Sequence, residues 1–321
     1  MSDAKKPSCW IEVCAETYKS NVPLLEELLS AEGALSVSLV DAADQAILEP
    51  AVATTPLWDH AIVKALFSCT ACGDSAEAVR EAEGILSAVR LATASFSELQ
   101  GIAFSFSLIE DQDWERSALD QFHAFDIGDM LRVVPSWQDH ERQSSRINLL
   151  MDPGLAFGTG THATTHLCLE HLDRLVTTDK SVVDFGCGSG ILGIAALKLD
   201  AGRVCFIDND PQAITATHNN LRLNKLENKD FSLINSAEQG VQSMLAGDND
   251  GADIVVANIL AGTLIELQGL IAALTRTRGL IVLSGILDEQ ADSVIDAFRE
   301  SFESFERQDR DGWTCIQARR K

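Results

Sequence analysis

Long hydrophobic runs are missing from this sequence. No stretch approaches the about 18 to 20 consecutive apolar residues that a membrane-spanning helix requires. The first ten residues, MSDAKKPSCW, also lack the apolar segment that characterises a signal peptide. We therefore expect a cytoplasmic protein.

Basic residues are scarce as well. The chain holds 25 Lys and Arg residues against 48 Asp and Glu residues, which gives a formal net charge of −23 at pH 7. Such a charge repels phosphate backbones and argues against a large electropositive surface for nucleic acid. A basic partner would be attracted instead, although on charge alone a role in solubility is the simpler interpretation.

The sequence has no convincing metal signature. Its eight cysteines are scattered through apolar segments, as expected of reduced thiols rather than a disulfide framework. Cys69 and Cys72 form one isolated C-x-x-C pair, whereas zinc needs four ligands. His162 and His166 are four residues apart, but Ala163 stands where a zincin has its glutamate. We predict no metal site, and we interpret His162 as a helix cap or packing residue, with proton handling as the alternative.

Length and periodicity predict two domains. A chain of 321 residues with 46% hydrophobic residues fits two domains of about 100 to 200 residues each. Residues 1–110 follow the order β-α-β-β-α-β, which is typical of a ferredoxin-like α+β domain. Residues 111–148 form a bridge with a short helical pattern and one strand-like segment, without the composition of a flexible Gly/Ser linker. Residues 149–321 form the second domain.

Strands and helices alternate clearly in the second domain. The predicted strands are SVVDF, RVCFID, FSLIN, ADIVVAN and GLIVLSG, followed by a final antiparallel pair at one edge. The predicted helices are ILGIAALKLD, PQAITATHNNLRLN, GTLIELQGLIAAL and LDEQADSVIDAFRE. This alternation indicates an α/β fold with a mainly parallel, doubly wound sheet of seven strands, whose ligands bind outside the carboxyl ends of the strands.

A glycine-rich loop, DFGCGSGILG, follows the first strand of that sheet. Gly188, Gly190 and Gly193 fit the dinucleotide fingerprint G-x-G-x-x-G, with Asp208 lying 20 residues after Gly188. From Asp184 onward, the same letters fit D-x-G-x-G-x-G, the first loop of S-adenosylmethionine-dependent methyltransferases. Both interpretations need an acidic residue after the second strand, because a carboxylate accepts hydrogen bonds from two ribose hydroxyls.

Asp208 and Asp210 both qualify for that acidic position. Asp208 closes the predicted strand and is preferred, while Asp210 is also well placed to cap the next helix ahead of Pro211. Asn258 ends the fourth strand, where a buried amide needs hydrogen-bond partners. Its side-chain oxygen and a neighbouring carbonyl would accept hydrogen bonds from an amine, although it could simply close a turn.

A second glycine-rich segment precedes a predicted helix in residues 151–172, MDPGLAFGTGTHATTHLCLEHL. Free N–H groups and the helix dipole make such an N-terminus favourable for an anion. No lysine follows Gly158 or Gly160, so the segment is not a P-loop. Phe157 in the same segment would contact a substrate side chain or form part of the loop core.

These motifs together closely resemble the bacterial methyltransferases that act on ribosomal large-subunit protein eleven. The resemblance covers essentially the whole chain and rests on the following segments: MDPGLAFGTGTH, DFGCGSGILGIAALKL, NILAG and LSGIL, together with GALSVSLVDAADQ, EP, LWD and WER before them. It implies a class I methyltransferase fold with S-adenosylmethionine as methyl donor. It further implies that lysine ε-amines and the N-terminal α-amine of that ribosomal protein are methylated.

The resemblance also implies where the cofactor binds. The family's cofactor contacts fall on Thr165, Gly186, Asp208 and Asn258. The implied set also includes other residues of the two glycine-rich segments: Asp184, Gly188, Gly190, Phe157, Gly158, Thr159 and Gly160. Residues 151–172 would lie over the methionine end of the cofactor, whose carboxylate suits free N–H groups.

The expected mechanism needs no nucleophile on the enzyme. Methyl transfer from a sulfonium is an in-line displacement, so Asn258 is expected to orient the attacking amine. Two alternatives remain open at this point. The chain could methylate another amine, in RNA or in a small molecule, or it could be a nicotinamide-dependent oxidoreductase. The net charge argues against RNA, and the NILAG and FGTGTH segments argue against a nicotinamide cofactor.

Overall fold

The computed structural model describes residues 9–43, 45, 56–71, 75–110, 123–138, 145–151, 160–239 and 251–321. The chain divides into two compact units, residues 1–117 and residues 118–321. Within the described ranges, each helix is too short or too polar to cross a bilayer. The predicted helical pattern between Trp114 and Phe122 and the residues Cys72, Phe157, Gly158 and Thr159 lie outside the described residues.

The first unit contains one antiparallel sheet in the order β2-β3-β1-β4. Its elements are β1 (Cys9–Tyr18), α1 (Val22–Ala31), β2 (Ser36–Asp41), β3 (His60–Cys69), α2 (Ser75–Thr93) and β4 (Phe104–Glu110). Alternate residues of β1 are buried, and Ile11 and Val13 share one apolar cluster with Leu25 of α1 and Ala82 of α2. Both helices therefore cover the same face of the sheet, and the predicted order of elements is confirmed.

The second unit begins with a small sheet in the order β5-β6-β7. Its strands are β5 (Phe125–Ile127), β6 (Leu131–Pro135) and β7 (Ile147–Met151), and β7 forms one edge. Strand β6 is antiparallel to β5 and parallel to β7. Ile127, Leu131 and Leu149 pack into the core of the second unit, so these strands belong to it structurally.

A seven-stranded mixed sheet forms the centre of the second unit, in the order β10-β9-β8-β11-β12-β14-β13. Its strands are β8 (Ser181–Phe185), β9 (Arg203–Asp208), β10 (Phe231–Asn235), β11 (Ala252–Asn258), β12 (Thr275–Leu287), β13 (Phe302–Arg310) and β14 (Trp313–Arg320). Neighbours from β10 to β12 pair in parallel, while β14 is antiparallel to both β12 and β13. The predicted antiparallel pair at one edge is confirmed.

Helices cover both faces of this sheet. They are α3 (Ala163–Leu175), α4 (Ile191–Lys198), α5 (Pro211–Leu223), α6 (Ser236–Gln239), α7 (Ala261–Glu266), α8 (Gln268–Leu274) and α9 (Ala291–Phe298). Val182 and Val183 are successive buried residues of β8 that belong to two different apolar clusters, one on each face. Burial on both faces explains why the central strands are continuous apolar runs rather than alternating ones.

The strands of this unit were predicted closely from the sequence, but two of its helices were not. Strands β8 to β11 have the predicted bounds. The single helix predicted from GTLIELQGLIAAL is wrong, because the chain forms α7 and α8 with a break at Leu267. The helix predicted from LDEQADSVIDAFRE begins later, since residues 288–290 form a 3₁₀ turn ahead of α9.

Candidate active site

The glycine loop joins β8 to α4 at the carboxyl edge of the sheet. Gly186 has φ 71° and Gly190 has φ 79°, in the left-handed region where only glycine is unstrained. A Cβ on Gly186 would collide with the Ile259 side chain, and one on Gly190 would lie 2.7 Å from Thr217 Cγ2. The loop therefore needs glycine at both positions, because its backbone packs directly against the Ile259 and Thr217 side chains.

Asp208 holds this loop from the end of the adjacent strand β9. Its Oδ2 accepts a hydrogen bond from the Gly188 N–H at 2.9 Å, and its Oδ1 accepts one from the Asp210 N–H at 3.0 Å. Asp210 is the N-cap of α5, where its side chain accepts a hydrogen bond from Gln212 N at 2.8 Å. The two acidic residues that the sequence left as alternatives thus have different tasks, and Asp208 is the one in contact with the glycine loop.

Asp184 lies beneath the loop and is 1% exposed. Its Oδ2 accepts a hydrogen bond from Gly193 N at 2.8 Å, whereas its buried Oδ1 has no partner within the described ranges. Burial raises the pKa of the Asp184 carboxyl to about 7; the Gly193 hydrogen bond opposes this rise, and the Asp208 charge adds to it. A buried carboxyl that can change its charge near neutral pH therefore lies directly behind the site.

Asn258 and Thr165 meet at the same edge. Asn258 ends β11, and its Nδ2 donates a hydrogen bond to Thr165 Oγ1 in the first turn of α3 at 3.2 Å. Thr165 is 1% exposed, and its N–H donates to His162 O. Within the described part of the chain, Asn258 Oδ1 accepts no hydrogen bond. The amide is therefore held through its nitrogen, with its oxygen available to a ligand.

An aromatic pair borders this contact. His162 is the N-cap of α3, and its ring lies edge-on to the Trp313 ring with centroids 4.9 Å apart. Trp313 begins β14 opposite Leu287 of β12. His162 lies three residues before Thr165, whose N–H donates to His162 O, so the aromatic pair and the Asn258 contact share the start of α3. Sequence reasoning missed Trp313, whose signal was only an indole at the start of a strand in a chain with 6% aromatic residues.

The remaining predicted site residues divide into two groups. Gly160 has φ 94°, and a Cβ there would lie 2.9 Å from Ile191 Cδ1, so Gly160 itself packs against the start of α4, the helix that follows the glycine loop. Phe157, Gly158 and Thr159 lie outside the described residues. The structure thus brings Thr165, Gly186, Asp208 and Asn258 to one sheet edge, together with Asp184, Gly188, Gly190 and Gly160.

His162 and His166, the pair that the sequence placed four residues apart, serve different contacts. His162 caps α3, whereas His166 stacks on Phe125 of β5 with ring centroids 4.8 Å apart. Burial lowers the pKa of His166, which suits a neutral packing ring. Within the described ranges, no three His, Cys, Asp or Glu side chains are grouped so as to hold a metal ion.

This fold and edge site define a class of protein: the second unit has an α/β methyltransferase-like fold with a mixed sheet. A ribosomal protein L11 methylase from Lactobacillus delbrueckii subsp. bulgaricus has a similar structure, with a TM-score of 0.55 and 32% identity. The match covers 62% of this chain and 100% of that one.

The whole sequence extends this likeness. Ribosomal protein L11 methyltransferase from Shewanella sediminis is 41% identical over 314 residues, which cover 97% of this chain and 99% of that protein. The corresponding protein of Pseudomonas savastanoi pv. phaseolicola is 43% identical over 312 residues, with the same coverage. The chain belongs to the ribosomal protein L11 methyltransferase (PrmA) family, whose model matches residues 9–321.

Proposed function

We propose that this protein transfers methyl groups from S-adenosylmethionine to lysine ε-amines and the N-terminal α-amine of ribosomal protein L11. Membership of the family supports the reaction and the substrate. The structural observation that carries the proposal is the contact of Asn258 with Thr165, which leaves an amide oxygen beside the glycine loop. Such an oxygen accepts a hydrogen bond from a neutral amine.

The residues of the glycine loop suit the cofactor. Gly186 and Gly190 let the loop take left-handed φ values and pack against the Ile259 and Thr217 side chains, which fixes the backbone that we propose faces the cofactor. Each carboxylate oxygen of Asp208 accepts one backbone hydrogen bond and keeps a lone pair for a ribose hydroxyl. Thr165, Asp184, Gly188 and Gly160 complete the described part of the proposed cofactor site, and Phe157, Gly158 and Thr159 are proposed to extend it.

The protein's main task in the transfer is to align the amine nitrogen of the substrate with the methyl group of the donor. When bound, S-adenosylmethionine supplies an electrophilic methyl group on its sulfonium. A lysine ε-amine of ordinary pKa must lose its proton at a cost of about 4 to 5 kcal/mol at pH 7, and an α-amine at about 1 to 1.5 kcal/mol. The proton must leave because only the neutral amine has a lone pair that can attack the methyl group. Asn258 then orients the amine nitrogen toward that group. His162 and Trp313 form an aromatic border suited to the methylene stem of a lysine.

We assign the parts of the chain as follows. Residues 149–321 form a class I methyltransferase domain with a mainly parallel seven-stranded sheet, and residues 1–110 form a ferredoxin-like domain that recognises the substrate. Residues 111–148 are assigned as the bridge between them, and the strands β5 and β6 of this bridge pack into the core of the second unit. The strand orders and the β-α-β-β-α-β sequence of elements support these assignments. Residues 1–117 hold 19 acidic and 7 basic residues, a balance that attracts a basic protein in the cytoplasm.

Mass spectrometry of unmethylated L11 incubated with this protein and S-adenosylmethionine tests the function. We expect methyl-sized increments on lysine side chains and on the N-terminus. Cofactor binding without any increment would overturn L11 as the substrate and point to another amine. Thermal stabilisation by NAD, but not by S-adenosylmethionine, would overturn the methyltransferase itself, because a ligand stabilises the folded state that binds it.

A further inference from the structure

Helix α5 carries an unusual line of buried polar side chains. Thr217 is 0% exposed, and Asn220 and Asn224 are each 4% exposed. Their spacing of three and four residues places them on one face of the helix and its C-cap. Burial of hydroxyl and amide groups is unfavourable unless each finds a hydrogen-bond partner, so the identity of these partners indicates why the groups are polar.

Thr217 and Asn220 both bind the glycine loop from behind. Thr217 Oγ1 donates a hydrogen bond to Gly188 O at 3.0 Å, and Asn220 Nδ2 donates one to Ser189 O at 2.9 Å. Two successive carbonyls of the loop are therefore held by one helix. On the other side of the same loop, Asp208 accepts a hydrogen bond from Gly188 N, so the residue Gly188 is held at both its N–H and its carbonyl.

Asn224 binds a different segment. Its Oδ1 accepts a hydrogen bond from Leu150 N at 3.0 Å, and its Nδ2 donates to Leu150 O at 2.7 Å and to Asn220 O at 2.9 Å. Leu150 lies in β7, at the edge of the small sheet. The Asn224 amide thus pairs with that edge as a neighbouring strand would. Leu150 is the residue immediately before the second glycine-rich segment, which begins at Met151.

We infer that Thr217, Asn220 and Asn224 form a clamp that sets the spacing between the glycine loop and β7, and that all three are positioning residues for the cofactor. The inference rests on the proposed function. A helix is rigid over the two turns that separate Thr217 from Asn224, so the glycine loop and β7 are held at a fixed distance from each other. Apolar side chains would fill the same volume, but they would leave these main-chain groups unpaired.

A pair of Thr217 variants separates hydrogen bonding from packing. Thr217→Val keeps the branched shape and loses the hydroxyl, whereas Thr217→Ser keeps the hydroxyl and loses the methyl group. We expect Thr217→Val to weaken S-adenosylmethionine binding about tenfold, the effect of one buried hydrogen bond, and Thr217→Ser to bind nearly as well as wild type. In steady-state kinetics the KM for the cofactor should rise while kcat changes little. Weaker binding by the serine variant than by the valine variant would overturn the clamp.

The asparagines have a matched control on the same helix, because Asn219 is exposed. Asn220→Ala and Asn224→Ala should each weaken cofactor binding about tenfold, and Asn219→Ala should leave it unchanged. Hydrogen exchange without ligand supplies an independent readout: we expect faster exchange of the 186–190 amides in Asn220→Ala and of the Leu150 amide in Asn224→Ala.

Failure of the clamp is distinguishable from failure of the proposed function. Wild-type protein that does not bind S-adenosylmethionine would overturn the proposed function and the cofactor role of these residues. Wild-type binding, with Asn220→Ala and Asn224→Ala binding equally well, would overturn the clamp alone. Unchanged exchange at residues 186–190 and at Leu150 would also overturn it, whatever the cofactor affinity.

Discussion

The two units of this protein treat polar side chains differently. In the described part of residues 1–117, the buried polar side chains are Thr17 and Thr93, and each bonds to its own or an adjoining turn. The described part of residues 118–321 buries twelve. Half of these lie at the glycine loop or contact the segments beside it: Thr165, Asp184, Ser189, Thr217, Asn220 and Asn224.

The two units differ in the interactions that fix their conformation. An apolar core with a charged surface is sufficient to hold the first unit together. The second unit must also hold several loops in fixed positions at one sheet edge, and hydrogen bonds to main-chain groups are directional where apolar contacts are not. Half of the buried polar residues described in the second unit are therefore concentrated at its candidate site, whereas an excess of acidic residues distinguishes the first unit.

The largest effect we expect concerns the buried carboxyl of Asp184. The pKa of this carboxyl is raised from 3.8 to about 7 in the folded protein. Below pH 3.8 the carboxyl is protonated in both the folded and the unfolded protein. Between pH 3.8 and about 7 it keeps its proton only in the folded protein. Stability therefore falls as pH rises from about 4 to about 7, by about 4 kcal/mol for one such proton. Asp184→Asn should remove this contribution, which urea unfolding of both proteins across that pH range would measure. The exposed Asp292→Asn is the control, and equal pH slopes in wild type and Asp184→Asn would contradict the prediction.

The next effect concerns catalysis. Asn258→Ala removes the group that orients the amine, and we expect kcat to fall about 100-fold with a much smaller change in the dissociation constant of S-adenosylmethionine. Methylation rates of L11 and calorimetric cofactor titrations measure the two quantities. The exposed Asn228→Ala should change neither. Equal losses of turnover and affinity would mean that Asn258 acts mainly as a cofactor ligand.

Two neighbouring aspartates sharpen the distinction between binding and stability. Asp208→Ala removes the contact with Gly188 and the proposed ribose acceptor, so we expect cofactor binding to weaken about tenfold. Asp210→Ala removes the α5 N-cap and should lower the unfolding free energy by about 1 kcal/mol with little change in affinity. Cofactor titration and urea unfolding of both variants test this assignment. A larger loss of affinity in Asp210→Ala would reverse it.

The smallest effect concerns the surface charge of the first unit. Glu27→Gln combined with Glu32→Gln removes two exposed charges, and we expect the KM for L11 to rise less than about threefold at low salt. Glu300→Gln combined with Glu303→Gln removes two exposed charges from the second unit and should have less effect. Initial-rate measurements with varied L11 compare the pairs. A greater effect from the second pair would contradict the substrate role of the first unit.

Much of the second unit was predictable because its signals are local. The strands β8 to β11 are apolar runs bounded by polar or glycine residues, and Asp208 and Asn258 were recognisable as polar residues that end such runs. The break at Leu267 was not predictable, since residues 262–274 carry an uninterrupted helical pattern. Trp313 was missed because its partner His162 lies far away in the sequence.

The sequence by itself determined the order of strands and helices, the glycine loop and the ends of the strands, because periodicity and glycine content act over a few residues. Tertiary structure alone decided that Asp208 binds Gly188, that Asn258 meets Thr165, and that Asn224 pairs with Leu150. Those contacts join residues that are distant along the chain. Local sequence cannot specify these contacts, because a buried polar group must find a hydrogen-bond partner and the packing of the whole unit decides which groups come within reach.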